Sequence, residues 1–252
     1  MIFYYIRHGD PIYNPDSLTE LGYKQADALA KRLSLYGLDK IFCSTSNRAQ
    51  LTAAPTCKAL GITPVCLDFA NEHYAWKEFS VTSPRSGKNH WCFQTGEMIE
   101  KLCDPSVRAL GREWYKHEYF KDYPSFESGM KRIENATDEF LLSLGYRHDR
   151  EACGYIEEEP NDQKVALFAH QGFGLLFLSA LMDIPYPYVS THFDFGHSSV
   201  TVIKFDSFCE HGARRTLENG KKMIYPKMLQ LSNDSHLYKE NILTGYQNTL
   251  DI

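Results

Sequence analysis

No window of this sequence is long and apolar enough to cross a membrane. The most apolar region, 165–182, is interrupted by His170, Gln171, Gly172 and Gly174, short of the roughly 20 apolar residues a spanning helix needs. The apolar run at 1–6 is too short for a secretory signal and has no small-residue cleavage site. Basic charge is not in excess: Lys+Arg number 27 against 32 Asp+Glu, a net charge of -5. Such a chain has no general electrostatic footprint for nucleic acid or an anionic membrane. An anionic ligand would have to meet positive charge concentrated at one place. The seven cysteines, Cys43, Cys57, Cys66, Cys92, Cys103, Cys153 and Cys209, are odd in number and contain no C-x-x-C. Their spacing suggests neither a zinc knuckle nor a redox motif, and free thiols in a reducing compartment are expected. Internal repeats, low-complexity tracts and linkers are missing too. A cytoplasmic location is the expectation from these absences.

What is present is ordinary globular material. Hydrophobic residues make up 43% of the chain and charged residues 23%, enough apolar side chain for a substantial core. Its 252 residues fit one α/β domain with an insertion. Residues 2–6 form a continuous apolar, β-prone run, the pattern of a strand buried on both faces. Ser17-Leu18-Thr19-Glu20 is a capping-box pattern with Ser17 or Thr19 as the cap. Leu21, Leu29 and Leu33 follow as a helical apolar face that ends before Gly37. Further strands are expected at 41–43, 64–67 and 165–169, with a helix at 47–60 closed by Gly61 and another at 172–182. Strand and helix in alternation imply a parallel sheet.

The periodicity weakens over 79–124, a stretch rich in Trp, Tyr, His and Lys. It reads as a partly helical insertion covering one end of the sheet. Phe126, Met130, Ile133, Thr137, Phe140, Leu141 and Leu144 fit a helical stripe ended by Gly145, and core packing accounts for it. The polar stretch 146–162, with Glu157-Glu158-Glu159, reads as a solvated loop. Late strands are expected at 199–205 and 223–231, at a sheet edge. The expected fold is a three-layer α/β/α sandwich with a mostly parallel sheet, one domain over 1–252 with an inserted cap at about 79–124.

Three polar clusters each follow an expected buried strand: Arg7-His8-Gly9, Ser44-Thr45-Ser46-Asn47-Arg48 and His170-Gln171-Gly172. The carboxyl ends of strands in an open parallel sheet line the ligand crevice. Arg7, His8, Arg48 and His170 should therefore converge. Two guanidinium forks fit the oxygens of a phosphate dianion. A neutral imidazole has one lone-pair nitrogen able to attack phosphorus, provided an acceptor holds the proton on the other. Phosphoryl transfer asks little more of a protein than this positioning and charge stabilisation.

These clusters carry a resemblance. Arg7-His8-Gly9 after the first strand resembles the R-H-G signature of the histidine phosphatase superfamily, the phosphoglycerate-mutase-like family, branch 1. Leu18-Thr19-Glu20-Leu21-Gly22 with Gln25-Ala26 resembles its L-T-x-x-G-x-x-Q-A segment. Ser44 to Gln50 resembles its S-x-x-x-R-A-x-Q/T stretch, and Ala169-His170-Gln171-Gly172 its second histidine motif. The resemblance implies that His8 is the nucleophile and that Arg7, Arg48 and His170 bind and stabilise the phosphoryl group. It implies a phosphate contact for Asn14, at the matching offset from His8. Asn71-Glu72-His73-Tyr74 resembles the segment with the catalytic acid, so Glu72 would protonate the leaving group, with Asp10, Asp68 and Glu78 as nearby competitors. No metal or organic cofactor is implied.

Two departures refine the expectation. Gln171 stands where the acid-phosphatase branch has Asp, which assigns the acid to Glu72. Asp10-Pro11-Ile12-Tyr13-Asn14 lacks the Ser or Thr followed by Trp of the cofactor-dependent mutases, which favours hydrolysis of a small phosphomonoester. The alternatives are mutase-type phosphoryl transfer and a non-catalytic phosphate-binding protein. Tyr13, Tyr74, Trp76, Trp91 and Phe93 are either a wall for the organic part of a substrate or ordinary cover, with cover preferred. The substrate and the oligomeric state are left open.

Overall fold

A computed structural model describes residues 1–205 and 216–243, together with two short strands at Gly245–Tyr246 and Leu250–Asp251. Cys209 lies outside the described residues. In chain order the elements begin β1 (Ile2–Arg7), β2 (Pro11–Tyr13), β3 (Asp16–Leu18), α1 (Glu20–Tyr36), β4 (Lys40–Ser44), α2 (Asn47–Leu60) and β5 (Val65–Leu67). There follow α3 (Glu72–Phe79), β6 (Ser80–Thr82), β7 (Asn89–Trp91), α4 (Gly96–Cys103), α5 (Pro105–Ala109) and α6 (Pro124–Leu142). The remainder is β8 (Tyr146–Asp149), β9 (Gly154–Glu157), β10 (Lys164–Ala169), α7 (Gln171–Met182), α8 (Tyr186–His192), β11 (Val200–Lys204), β12 (Lys222–Ile224), β13 (Lys227–Asn233) and α9 (Ser235–Lys239).

The chain forms two compact units. One comprises Met1–Asn71, Pro160–Gln171 and Phe195–Ile252; the other comprises Glu72–Glu159 and Gly172–Asp194. The first holds the central six-stranded sheet, in the order β13-β11-β1-β10-β4-β5. β1, β10, β4 and β5 run parallel, and β11 runs against both β1 and β13. The α/β class and the mostly parallel sheet are as expected. The expected strand at 199–205 is not at an edge: β11 lies between β1 and β13, and β13 takes the edge.

The helices of this unit start and stop where the chemistry dictates. Thr19 caps α1, its hydroxyl accepting from the Gly22 amide at 3.0 Å. Gly37, with φ of 66°, ends it. Leu21 is exposed and Leu29 and Leu33 are buried, so the inward face runs through Gly22, Ala26, Leu29 and Leu33. That face meets Tyr4, Ile6, Ile41, Cys43, Ala166, Phe168 and Val200 from the sheet, with Ala53 and Cys57 of α2 completing the cluster. Each fully buried Leu there contributes about 1.5–3 kcal/mol.

The second unit has an aromatic core in which Phe79, Trp114, Phe120, Phe126 and Tyr186 pack ring on ring, with the Trp114–Phe120 centroids 5.0 Å apart. The expected stripe on α6 is buried throughout. The stretch 146–162 departs from the expected solvated loop. It opens with the β8–β9 hairpin, in which Tyr146, Tyr155 and Ile156 are buried. Its polar residues are used inside: His148 bridges Asp138 (2.8 Å) and Asp183 (2.7 Å), and Arg150 also binds Asp138. No helix among the described residues is long and apolar enough to cross a membrane.

Candidate active site

The site is assembled at the carboxyl ends of adjacent strands. Arg7 is the last residue of β1, His8 follows it, His170 follows β10, and Ser44 ends β4. Because β10 lies between β1 and β4, these ends are neighbours. The backbone clasps them together: the His8 amide donates to Ala169 at 2.9 Å, and the Ser198 amide donates to the His8 carbonyl at 3.0 Å.

The glycines of the first two motifs have a steric reason. A Cβ on Gly22 would sit 2.3 Å from the Asp10 carbonyl oxygen, and one on Gly9 would sit 2.7 Å from the Gly22 carbonyl oxygen. The start of α1 thus presses directly on the loop behind His8, and neither position has room for a side chain. Gln25 of the same motif accepts from the Asp10 amide at 2.7 Å, and Thr19 donates to the Asp10 carboxylate at 2.6 Å. Thr52 accepts from the Gly9 amide at 3.0 Å and donates to the Arg48 carbonyl at 2.8 Å. Motifs far apart in sequence are therefore one hydrogen-bonded frame around a single imidazole.

That imidazole is buried, with 1% of the His8 residue exposed. Its Nδ1 lies 2.7 Å from the Gly9 carbonyl oxygen. A carbonyl only accepts, so Nδ1 carries the proton and Nε2 carries the lone pair. Burial pushes the His8 pKa well below the ordinary histidine value, and the charges of His170, Arg7 and Arg48 push the same way against the Gly9 hydrogen bond. The shift favours the neutral ring, in which Nε2 carries the lone pair.

Arg7, 4% exposed, donates through Nη1 to the Phe195 carbonyl and through Nη2 to His197 Nε2 at 2.8 Å. Arg48, in the first turn of α2, pairs with Asp16 at 2.9 Å and reaches His170 Nδ1 at 3.0 Å, with its guanidinium 5.4 Å from the Tyr13 ring centre. An arginine cannot accept, so His170 Nδ1 does, and its proton sits on Nε2, 2.8 Å from Ser44 Oγ. Burial, then Arg48 and Arg7, hold the His170 pKa well below the ordinary value. The His8 and His170 ring centres are 5.2 Å apart.

Arg7, His8, Arg48 and His170 are thus brought together as expected. Asn14 is exposed in the β2–β3 hairpin, and the neighbouring Asp16 engages Arg48. Glu72 opens α3 in the second unit. Its Oε1 accepts from the Gly172 amide at 2.7 Å and the Phe173 amide at 3.2 Å, the first turn of the helix that follows His170 in the chain. Gly172 permits this approach, since a Cβ there would lie 2.4 Å from the Trp91 ring and 2.9 Å from Glu72 Oε1. Glu78 is committed elsewhere, gripped by Arg132 through two hydrogen bonds of 2.7 and 2.6 Å. Asp10 is occupied by Thr19.

Sequence reasoning missed His197, Asp16 and Ser44 as parts of the site. His197 is buried, its ring centre 5.8 Å from that of His8, and its Nδ1 faces Asp10 Oδ1 at 3.6 Å. The signal that could have found it is strand direction. β11 runs antiparallel to β1, so the residues that enter it stand beside the residues that leave β1.

Arg7, His8, Arg48 and His170, gathered at the strand ends of an α/β sheet, make a candidate oxyanion-binding site. Residues 3–79 match the family model of the histidine phosphatase superfamily (branch 1), so the resemblance in the motifs stands. Solved structures share the fold. A mycobacterial glucosyl-3-phosphoglycerate phosphatase in complex with VO3 is 19% identical with a TM-score of 0.54, over 92% of this chain and 98% of that one. The phosphoserine phosphatase of Entamoeba histolytica, as a mutant in complex with phosphoserine, is 16% identical with a TM-score of 0.55, over 94% and 98%. A protein described as mycobacterial hydrolase 1 is 20% identical with a TM-score of 0.55, over 92% and 98%. No curated protein sequence matches the chain.

Proposed function

We propose that this protein is a phosphatase that hydrolyses a small phosphomonoester through phosphohistidine on His8. The observation that carries the reading is the tautomer of His8. Its proton is held on Nδ1 by the Gly9 carbonyl, which leaves the Nε2 lone pair for phosphorus. Nε2 attacks phosphorus while the bond to the ester oxygen breaks, and Glu72 supplies the proton that the departing alcohol needs. Arg7 and Arg48 take the nonbridging oxygens, where charge must be held in place, and His170 completes that set. Water then attacks phosphorus, Glu72 takes its proton back, and the P–N bond breaks to release phosphate and neutral His8. The two steps together return the groups to their starting state, so no cofactor is consumed.

The structural relatives act on phosphoserine and on glucosyl-3-phosphoglycerate, which supports a small phosphorylated substrate. We read the 79–124 segment as the insertion that sets specificity within a single domain, Asn14 as a further phosphate contact when substrate is present, and the location as cytoplasmic. The test is release of p-nitrophenol from p-nitrophenyl phosphate without added metal, wild type against His8→Ala. The reading expects turnover that vanishes in the variant. Turnover that survives there removes His8 as nucleophile. Absence of turnover in both, with phosphate bound, supports the non-catalytic binding protein instead, and activation by a bisphosphorylated sugar acid supports the mutase.

A further inference from the structure

We propose that Cys43 and Cys66 are a peroxide-responsive thiol pair whose disulfide disables the site. They stand on adjacent parallel strands and are direct partners in the register, flanked by Phe42 opposite Val65 and Ser44 opposite Leu67. Their sulfur atoms are 3.6 Å apart. Neighbouring strands lie about 4.8 Å apart, inside the roughly 4.4–6.8 Å Cα separation that a disulfide spans. Closing the pair therefore keeps the strand order and register and shifts the two strands only locally. It needs the sulfurs to approach by about 1.5 Å to reach the disulfide length. β5 is a three-residue edge strand and takes up part of that distance, leaving the rest to β4.

The two thiols have different exposure and so different roles. Cys66 is exposed and Cys43 is fully buried in the core cluster. Burial, with Cys66 adding to it, pushes the Cys43 thiol up to about 12, so Cys43 is not the sulfur that meets oxidant first. Cys66 attacks the peroxide oxygen, giving a sulfenic acid and one water. The Cys43 sulfur then attacks the Cys66 sulfur, and its proton leaves with the displaced hydroxide as a second water. Two thiols are oxidised and one peroxide is reduced. The closeness of the partners drives the second step.

The consequence for the site follows from the next residue. Ser44, adjacent to Cys43, accepts from His170 Nε2 at 2.8 Å, and Thr45 accepts from the Asn71 side chain at 2.8 Å. Cys43 also stands opposite Phe168, two residues before His170. Drawing β4 toward β5 pulls Ser44 from the imidazole it orients. A misplacement of about 1 Å in such a site costs on the order of a hundredfold in rate, so a loss of about 10- to 100-fold is expected.

The activity half of this proposal rests on the phosphatase reading; the thiol half does not. The test treats reduced protein with hydrogen peroxide, maps non-reducing peptides by mass spectrometry and measures p-nitrophenyl phosphate turnover. The expected result is a linked Cys43–Cys66 peptide, a loss of at least about tenfold, recovery with dithiothreitol, and resistance in Cys66→Ser, which keeps basal activity. Cys66 oxidised to sulfinic acid with no linked peptide overturns the pair. A linked peptide with unchanged turnover overturns its control of the site. If the reduced protein has no turnover, the phosphatase reading fails, and the linked peptide together with weakened calorimetric binding of inorganic phosphate still decides this proposal.

Discussion

Replacing His197 by alanine removes the acceptor for one edge of the Arg7 guanidinium. That contact is 2.8 Å long and lies between residues only 4% and 7% exposed, so water cannot freely replace it. A hydrogen bond to a charged group is worth about 1.5–3 kcal/mol. At about 1.4 kcal/mol per decade of rate, full expression in the transition state lowers kcat/KM about 10- to 150-fold. The loss comes through Arg7, because His197 Nε2 points at the guanidinium, and its Nδ1 carries the remaining proton toward Asp10. His197→Gln puts an amide oxygen at a similar reach and should recover most of the rate, which a purely space-filling role does not explain. The assay is steady-state hydrolysis of p-nitrophenyl phosphate, with thermal unfolding to verify that each variant is folded. A folded His197→Ala protein with wild-type kcat/KM refutes the reasoning.

Gly22→Ala forces a Cβ to within 2.3 Å of the Asp10 carbonyl; overpacking of this kind costs about 1–3 kcal/mol, so urea unfolding should shift to lower denaturant and turnover should fall with it, whereas no change in either contradicts the tight approach of the two motifs. Glu72→Gln should slow esters with poor leaving groups more than p-nitrophenyl phosphate, and equal losses on both count against Glu72 as the acid. His148 is subject to burial, which lowers its pKa, but hydrogen bonds to Asp138 and Asp183 outweigh it and the net shift is upward. Its contribution to stability is therefore complete below the ordinary histidine pKa and is lost as pH rises through the raised one. The melting-temperature advantage of wild type over His148→Gln should shrink as pH rises, and an advantage that grows contradicts the assignment.

Much of this molecule was legible because short-range rules decided it. The α2 boundaries follow from a strand-to-helix turn and Gly61, whose φ is 68°. β1 over residues 2–6 and β10 over 165–169 are continuous apolar runs, the mark of an interior strand. The four residues gathered at the candidate site were legible because each ends or soon follows a strand of the sheet, and parallel strands gather their carboxyl ends. His197 was not, since it precedes an antiparallel strand whose direction no local pattern declares. The β8–β9 hairpin was hidden because its polar residues, His148 and Arg150, turn inward onto Asp138 and Asp183. Polarity signals exposure only when a side chain lacks an internal partner. Cys43 and Cys66 sit 23 residues apart, and only the register of β4 on β5 makes them neighbours. The Asp16 carboxylate that the β2–β3 hairpin gives Arg48 as its partner was not legible either, because only the turn of the hairpin brings it there.

The most direct test is to stop the protein during reaction with p-nitrophenyl phosphate with alkaline denaturant, in which phosphohistidine survives, and to locate the phosphoryl group by mass spectrometry and phosphorus NMR. The Gly9 hydrogen bond reserves Nδ1, so the account predicts one phosphoryl group per chain on Nε2 of His8, absent from His8→Ala. A phosphoryl group on Nδ1, on His170 or on any other side chain contradicts it, as does steady turnover with none trapped while chemistry limits release.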